Sequence, residues 1–99
     1  MVDNMVNARS VMDERIALTD TAFVELVVWE VPSPVRGSEH SFKYRLALVA
    51  DGECVVRYDN EAGKGDHKHI GTKEVSYQFQ GIKELQGDFW KDVDQWLNK

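Results

Sequence analysis

The chain has 99 residues, which is enough for one hydrophobic core and too few for two. Apolar residues make up 42% and charged residues 29%, with three Trp, three Tyr and four Phe; this composition excludes a disordered tail. No apolar run approaches the roughly 20 residues that cross a bilayer, residues 1–10 lack the apolar centre of a secretory signal, and a net charge of −5 argues against coating nucleic acid by bulk attraction.

The charge is unevenly spread. Residues 36–73 hold seven Lys or Arg against six Asp or Glu, while the rest of the chain is strongly acidic. All three histidines (His40, His67, His69) lie in that central stretch, so an anionic ligand is expected there. Cys54 is the only cysteine, which rules out an internal disulfide and points to a reducing, cytoplasmic location.

In chain order, residues 1–14 show no clear period and read as a loose arm or short helix ahead of a single domain over 15–99. Residues 15–18 read as a short strand, and Thr19-Asp20-Thr21 as a turn. Residues 23–31 are nearly continuously apolar, which predicts a strand covered on both faces and stopped by Pro32. Trp29, Trp90 and Trp96 are expected in the core. After a Pro- and Gly-containing loop, residues 40–49 alternate: His40, Phe42, Tyr44, Leu46 and Leu48 on the core face, Lys43, Arg45, Ala47 and Val49 on the other.

Asp51-Gly52 is a hairpin signal, and Cys54 to Asp59 forms the return strand. A plain two-residue turn would set Leu46 against Arg57 and Tyr44 against Asp59, burying charge at a cost of roughly 3 kcal/mol or more. A three-residue loop, or its bulged equivalent, pairs Leu48 with Val56, Leu46 with Tyr58, Ala47 with Arg57 and Arg45 with Asp59. That register places Lys43, Arg45, Arg57 and Asp59 on one face and sets Cys54 beside the core. Residues 60–71 read as a glycine-containing loop or a short, poorly covered strand, and residues 74–79 as a last strand. Ile82, Leu85, Phe89, Val93, Trp96 and Leu97 follow helical spacing and predict a helix packed on the sheet. The fold class is therefore α+β, an antiparallel sheet of four to five strands with a C-terminal helix on one face.

The densest polar cluster is Arg57-Tyr58-Asp59-Asn60-Glu61 followed by Gly63-Lys64-Gly65-Asp66-His67-Lys68-His69. In an extended segment His67 and His69 point to the same side, about 6 to 7 Å apart. One job for such a pair is metal-independent RNA cleavage. Either histidine can take the 2′-hydroxyl proton or supply one to the departing 5′-oxygen. Arg57, Arg45, Lys43, Lys64 and Lys68 are the cations available to the phosphorane, and Asp59 or Asp66 can orient a histidine. A second job is metal binding, with Asp66, Asp59 or His40 as a third ligand. A third reading is a solvated polar loop without chemistry. His40, on the apolar side of its strand, reads as a hydrogen-bonded core histidine.

Lys43-Tyr44-Arg45, then Arg57-Tyr58-Asp59-Asn60, a Gly-rich link and His67-Lys68-His69, preceded by apolar strands around Leu18-Thr19-Asp20 and Val24-Glu25, resemble the TumE family of toxins from toxin–antitoxin operons. The resemblance implies a toxin paired with a helix-turn-helix antitoxin encoded beside it. Its matching positions are Arg57, Asp59, Asn60, His67, Lys68 and His69. Combined with the residue chemistry, this makes the expected activity an endoribonuclease without cofactor or metal. His67 and His69 serve as acid and base, with Arg57 and Asp59 beside them. Lys43, Arg45, Asn60, Lys64 and Lys68 hold RNA. The alternatives are a non-catalytic module that binds the antitoxin or a sister subunit in a homodimer, and a small metal-binding domain.

Overall fold

A computed structural model describes residues 7–61 and 63–99. Six strands follow one another as β1 (Arg9–Thr19), β2 (Ala22–Glu30), β3 (Phe42–Ala50), β4 (Glu53–Asp59), β5 (His67–Ile70) and β6 (Lys73–Ser76), and α1 (Ile82–Leu97) ends the chain. Every neighbouring pair is antiparallel, and the spatial order is the chain order, so the sheet is an open meander with β1 and β6 at its edges.

The sheet has six strands where the sequence predicts four or five. The additional pairing is β5 with β6, a short hairpin within charged and glycine-rich sequence that carries too few apolar residues to show a period of two. β1 begins at Arg9, so residues 9–14, expected in an arm, run beside β2 as far as Leu26. The start of that expected arm, residues 1–6, lies outside the described residues. β3 begins at Phe42, leaving His40 just before it.

Alternation divides the sheet into two faces. Val24, Leu26, Val28, Tyr44, Leu46, Leu48, Val56 and Tyr58 form a buried layer, closed by Leu85, Phe89 and Val93 of α1. The helix therefore covers β4 and its neighbours with the stripe its spacing predicts. Phe89 stands edge-on to Tyr58 at 5.9 Å, a favourable aromatic geometry. Trp90 and Trp96 pack against the rim of this core, as expected.

Among the described residues no helix lies over the second face. Phe23, Glu25, Val27 and Trp29 of β2 are half-buried there, so this apolar strand is covered on one side only and Trp29 lies outside the core. A continuous apolar run does not reveal which of its faces is closed.

The β3–β4 hairpin has the bulged register. Leu48 meets Val56, Leu46 meets Tyr58, Ala47 meets Arg57 and Arg45 meets Asp59. Nearer the turn, Val49 meets Cys54 and Ala50 meets Glu53, so the extra residue is absorbed by a bulge in β4. The turn itself is Asp51-Gly52, both left-handed at φ 52° and 79°, the conformation of a type I′ hairpin. The bulge sets Cys54 opposite Val49, and the thiol is exposed where the sequence reading put it beside the core.

No described helix is long and apolar enough to cross a membrane. Phe89 is fully enclosed between helix and sheet. Phe89→Ala is expected to lower the unfolding free energy by about 3–5 kcal/mol, read as an earlier midpoint in a urea titration.

Candidate functional site on the open sheet face

Directly opposed residues of an antiparallel pair point to the same side. Two rows therefore cross the open face. One runs Glu25, Ala47, Arg57, His69, Glu74; the other runs Val27, Arg45, Asp59, His67, Ser76. Arg57, Asp59, His67 and His69, distant in the sequence reading by a loop of unknown path, become nearest neighbours because β4 and β5 pair in this register.

The four side chains form a continuous contact. Arg57 Nε lies 2.9 Å from Asp59 Oδ2, and His67 Nε2 lies 2.7 Å from Asp59 Oδ1. The first is an ion pair and the second a close approach, and neither is aligned as a hydrogen bond: Arg57 Nε, Asp59 Oδ1 and His67 Nε2 are all buried without an aligned partner among the described residues. Arg57 Nη2 is 2.7 Å from His69 Nε2. A guanidinium only donates, so His69 Nε2 accepts and the ring carries its proton on Nδ1. His67 Nδ1 donates to the Gly65 carbonyl at 3.0 Å, which turns Nε2 toward the cluster. The two imidazoles stand 5.2 Å apart, centroid to centroid, and nearly perpendicular.

Access differs sharply between them. The His67 side chain is 5% exposed, whereas His69 is 23% and Arg57 32% exposed. Glu74, on the edge strand opposite His69, is 44% exposed, with Oε2 3.6 Å from His69 Nε2 and Oε1 4.0 Å from His67 Nε2. Sequence reasoning missed Glu74. Its signal is its register: Gly71-Thr72 closes a hairpin that brings it opposite His69.

The remaining expected residues divide. Lys43, Arg45 and Arg57 line one depression of about 400 Å³ on this face, together with Asp59, Asn60 and Glu61. Arg45 also lies 3.9 Å from Glu25. Lys64 is exposed on the β4–β5 loop and borders a second depression with His67 and Glu74. Lys68 does not join them. It pairs with Tyr58, so it points to the helix face, where Nζ is 3.3 Å from Asp92 of α1. Asn60 is buried and fully used: its amide nitrogen donates to Phe42 O and Ser38 Oγ, and its oxygen accepts from Tyr44 N. It ties the β2–β3 loop to the end of β4.

Asp66 orients a histidine, but that histidine is His40. Asp66 accepts from Ser38 Oγ at 2.6 Å and from Tyr44 Oη at 2.7 Å, and its Oδ2 lies 2.7 Å from His40 Nε2. His40 stacks on Phe79 at 3.7 Å, in keeping with its reading as a hydrogen-bonded core histidine. Burial, and then the bond to Asp66, push the Tyr44 hydroxyl well above the usual tyrosine range. Burial and Asp92 do the same to Tyr58.

The loop ahead of β5 is fixed by a backbone pinch. Gly65 has φ 74°, and a Cβ there would lie 2.8 Å from Gly37 O. Gly65→Ala is therefore expected to destabilise the fold by more than about 1 kcal/mol and to shift the His67 ring resonances, both visible in a thermal melt followed by NMR.

The raised tyrosines set an alkaline limit. Above about pH 10 the unfolded chain loses these phenolic protons while the folded chain keeps them, so stability falls as pH rises through that region. Tyr44→Phe is expected to make the fall shallower, measured as denaturation midpoints across the alkaline range.

A family model described as Toxin TumE matches residues 3–97. No curated protein and no solved structure matches the chain. With nearly its whole length matched, the chain belongs to the Toxin TumE family.

Proposed function

We propose that this toxin cleaves RNA at the open face, in a reaction that transfers protons through side chains and needs no metal. The observation that carries the reading is the convergence of a guanidinium, an accessible imidazole and an accessible carboxylate on one patch: Arg57 bonds His69 Nε2 at 2.7 Å, and a Glu74 oxygen stands 3.6 Å from the same nitrogen.

Cleavage requires the 2′-hydroxyl to lose a proton as its oxygen attacks phosphorus, and the 5′-oxygen to gain one as its bond breaks. The products are a 2′,3′-cyclic phosphate and a free 5′-hydroxyl, with no net change in protons. The sequence pattern assigns both transfers to His67 and His69. The burial of His67 favours a different division. His69 and Glu74 exchange the protons, because both are reachable by substrate. Arg57 stabilises the phosphorane, and Asp59 with His67 holds the guanidinium in place. Lys43 and Arg45, beside Arg57 in the same depression, take flanking phosphates.

An antitoxin is the expected partner of a toxin, and the helix-turn-helix type remains the proposed one. Phe23, Val27 and Trp29, half-buried on the same open face, favour a second role for it as the antitoxin's docking surface. A protein that binds there covers the catalytic group. RNA as substrate places the action in the cytoplasm.

The test is expression without partner, with growth and RNA integrity followed together. His69→Ala and Glu74→Gln are each expected to reduce cleavage by about 10²–10⁴-fold, and Glu74→Gln to remove one limb of the pH–rate profile. His67→Gln is expected to lower the rate less and leave that profile unchanged. Intact RNA in cells expressing the wild type refutes nuclease action; cleavage that His69→Ala leaves untouched moves the chemistry elsewhere.

A further inference from the structure

We infer that His67, His69 and Glu74 form a binding site for a zinc-class divalent ion, which competes with Arg57 for His69 and switches the proposed site off. The inhibitory consequence rests on the nuclease reading; the binding does not.

The donor set comes first. One nitrogen from each imidazole and one oxygen from Glu74 all lie within 4.8 Å of one another. Two imidazoles and a carboxylate are a zinc ligand set, and a tetrahedral ion with bonds of about 2.0–2.1 Å needs donors roughly 3.3 Å apart. The Glu74 oxygens already stand 3.6 Å from His69 Nε2 and 4.0 Å from His67 Nε2. Glu74 is the half-exposed member on an edge strand, so it is the ligand most free to move toward an ion.

The second observation is independent of that spacing. The side chain of His67 is 95% enclosed, and its Nε2 has no aligned hydrogen-bond partner among the described residues. Its Nδ1 is committed to the Gly65 carbonyl. This is the arrangement in which a histidine presents Nε2 to a metal, with the other nitrogen held by an outer hydrogen bond that fixes ring and tautomer. Asp59, 2.7 Å from the same Nε2, adds negative charge beside the site.

Arg57 supplies the competition. His69 Nε2 has one lone pair, and Arg57 Nη2 uses it at 2.7 Å. An ion that takes this lone pair displaces the guanidinium, which keeps its contact with Asp59 through Nε at 2.9 Å. Arg57 and a divalent cation therefore satisfy the same negative pocket by turns. With the ion bound, the single lone pair of His69 Nε2 is taken and the Glu74 carboxylate is held as a ligand, its basicity lowered by the cation, so neither serves the proton transfers.

The test is a titration of the metal-free full chain with zinc, followed by calorimetry, and with cobalt, followed by its visible absorption. One ion per chain is expected, with a tetrahedral cobalt spectrum. Glu74→Gln and His69→Ala are each expected to weaken binding by at least about tenfold. Glu74→Gln lies on the exposed edge, so it keeps the fold intact as the control for His69→Ala. Arg57→Ala is expected to bind about tenfold or more tightly, since the competing hydrogen bond is gone. No stoichiometric binding, or binding indifferent to both ligand variants, overturns the site. Unchanged affinity in Arg57→Ala overturns the competition. In parallel, zinc is expected to stop RNA cleavage by wild type and a chelator to restore it; cleavage undiminished by saturating zinc overturns the switch. Absence of cleavage under every condition refutes the nuclease reading alone and leaves the titration to decide the metal site.

Discussion

The pairing of β4 with β5 is the constraint from which the site follows. Arg57 stands opposite His69 and Asp59 opposite His67. A slip of one residue would send both imidazoles to the helix face and bring Lys68 out beside Arg57. The register is held at both ends of the two strands. On one side Gly71 N donates to Val55 O at 2.8 Å. On the other, the Gly37–Gly65 approach and the Gly63 N to Arg36 O bond at 2.7 Å tie the β4–β5 loop to the β2–β3 loop.

That register also governs the electrostatics. The face gathers two carboxylates, two imidazoles and one guanidinium into a small, partly enclosed volume. Enclosed carboxylates demand a positive partner, and Arg57 meets Asp59 and His69 at once. A cation that is central to the balance of a site is also the group a phosphate must engage or a competing metal cation must displace. The protein's acidic total charge is no obstacle, because the β1–β2 hairpin and the helix carry most of it while the site is locally mixed.

Two residues that look functional in the sequence hold the frame instead. Asn60 and Asp66 each use several polar atoms to fasten the β2–β3 loop to the end of β4 and the start of β5. Tyr44 joins both sets, its backbone to Asn60 and its hydroxyl to Asp66. Lys68 likewise ties β5 to α1 through Asp92. Such groups sit beside reactive residues in the chain because the same short segments that carry the site must also be anchored.

The amino-acid sequence by itself determined the helix, the alternating β3 strand and the hairpin register, since each follows from a local period or from the cost of burying Arg57 or Asp59 against the core. It also brought out Arg57, Asp59, His67 and His69 as a group with shared chemistry. It left undecided which face of β2 is closed and whether residues 60–71 hold a loop or a strand, and so the β5–β6 pairing. It left Glu74 unnoticed and did not separate the sheltered His67 from the reachable His69. These depend on contacts between segments far apart in the chain. Residue period reports which side of a strand a group occupies, but only the assembled sheet and helix decide what covers that side and which neighbour stands opposite.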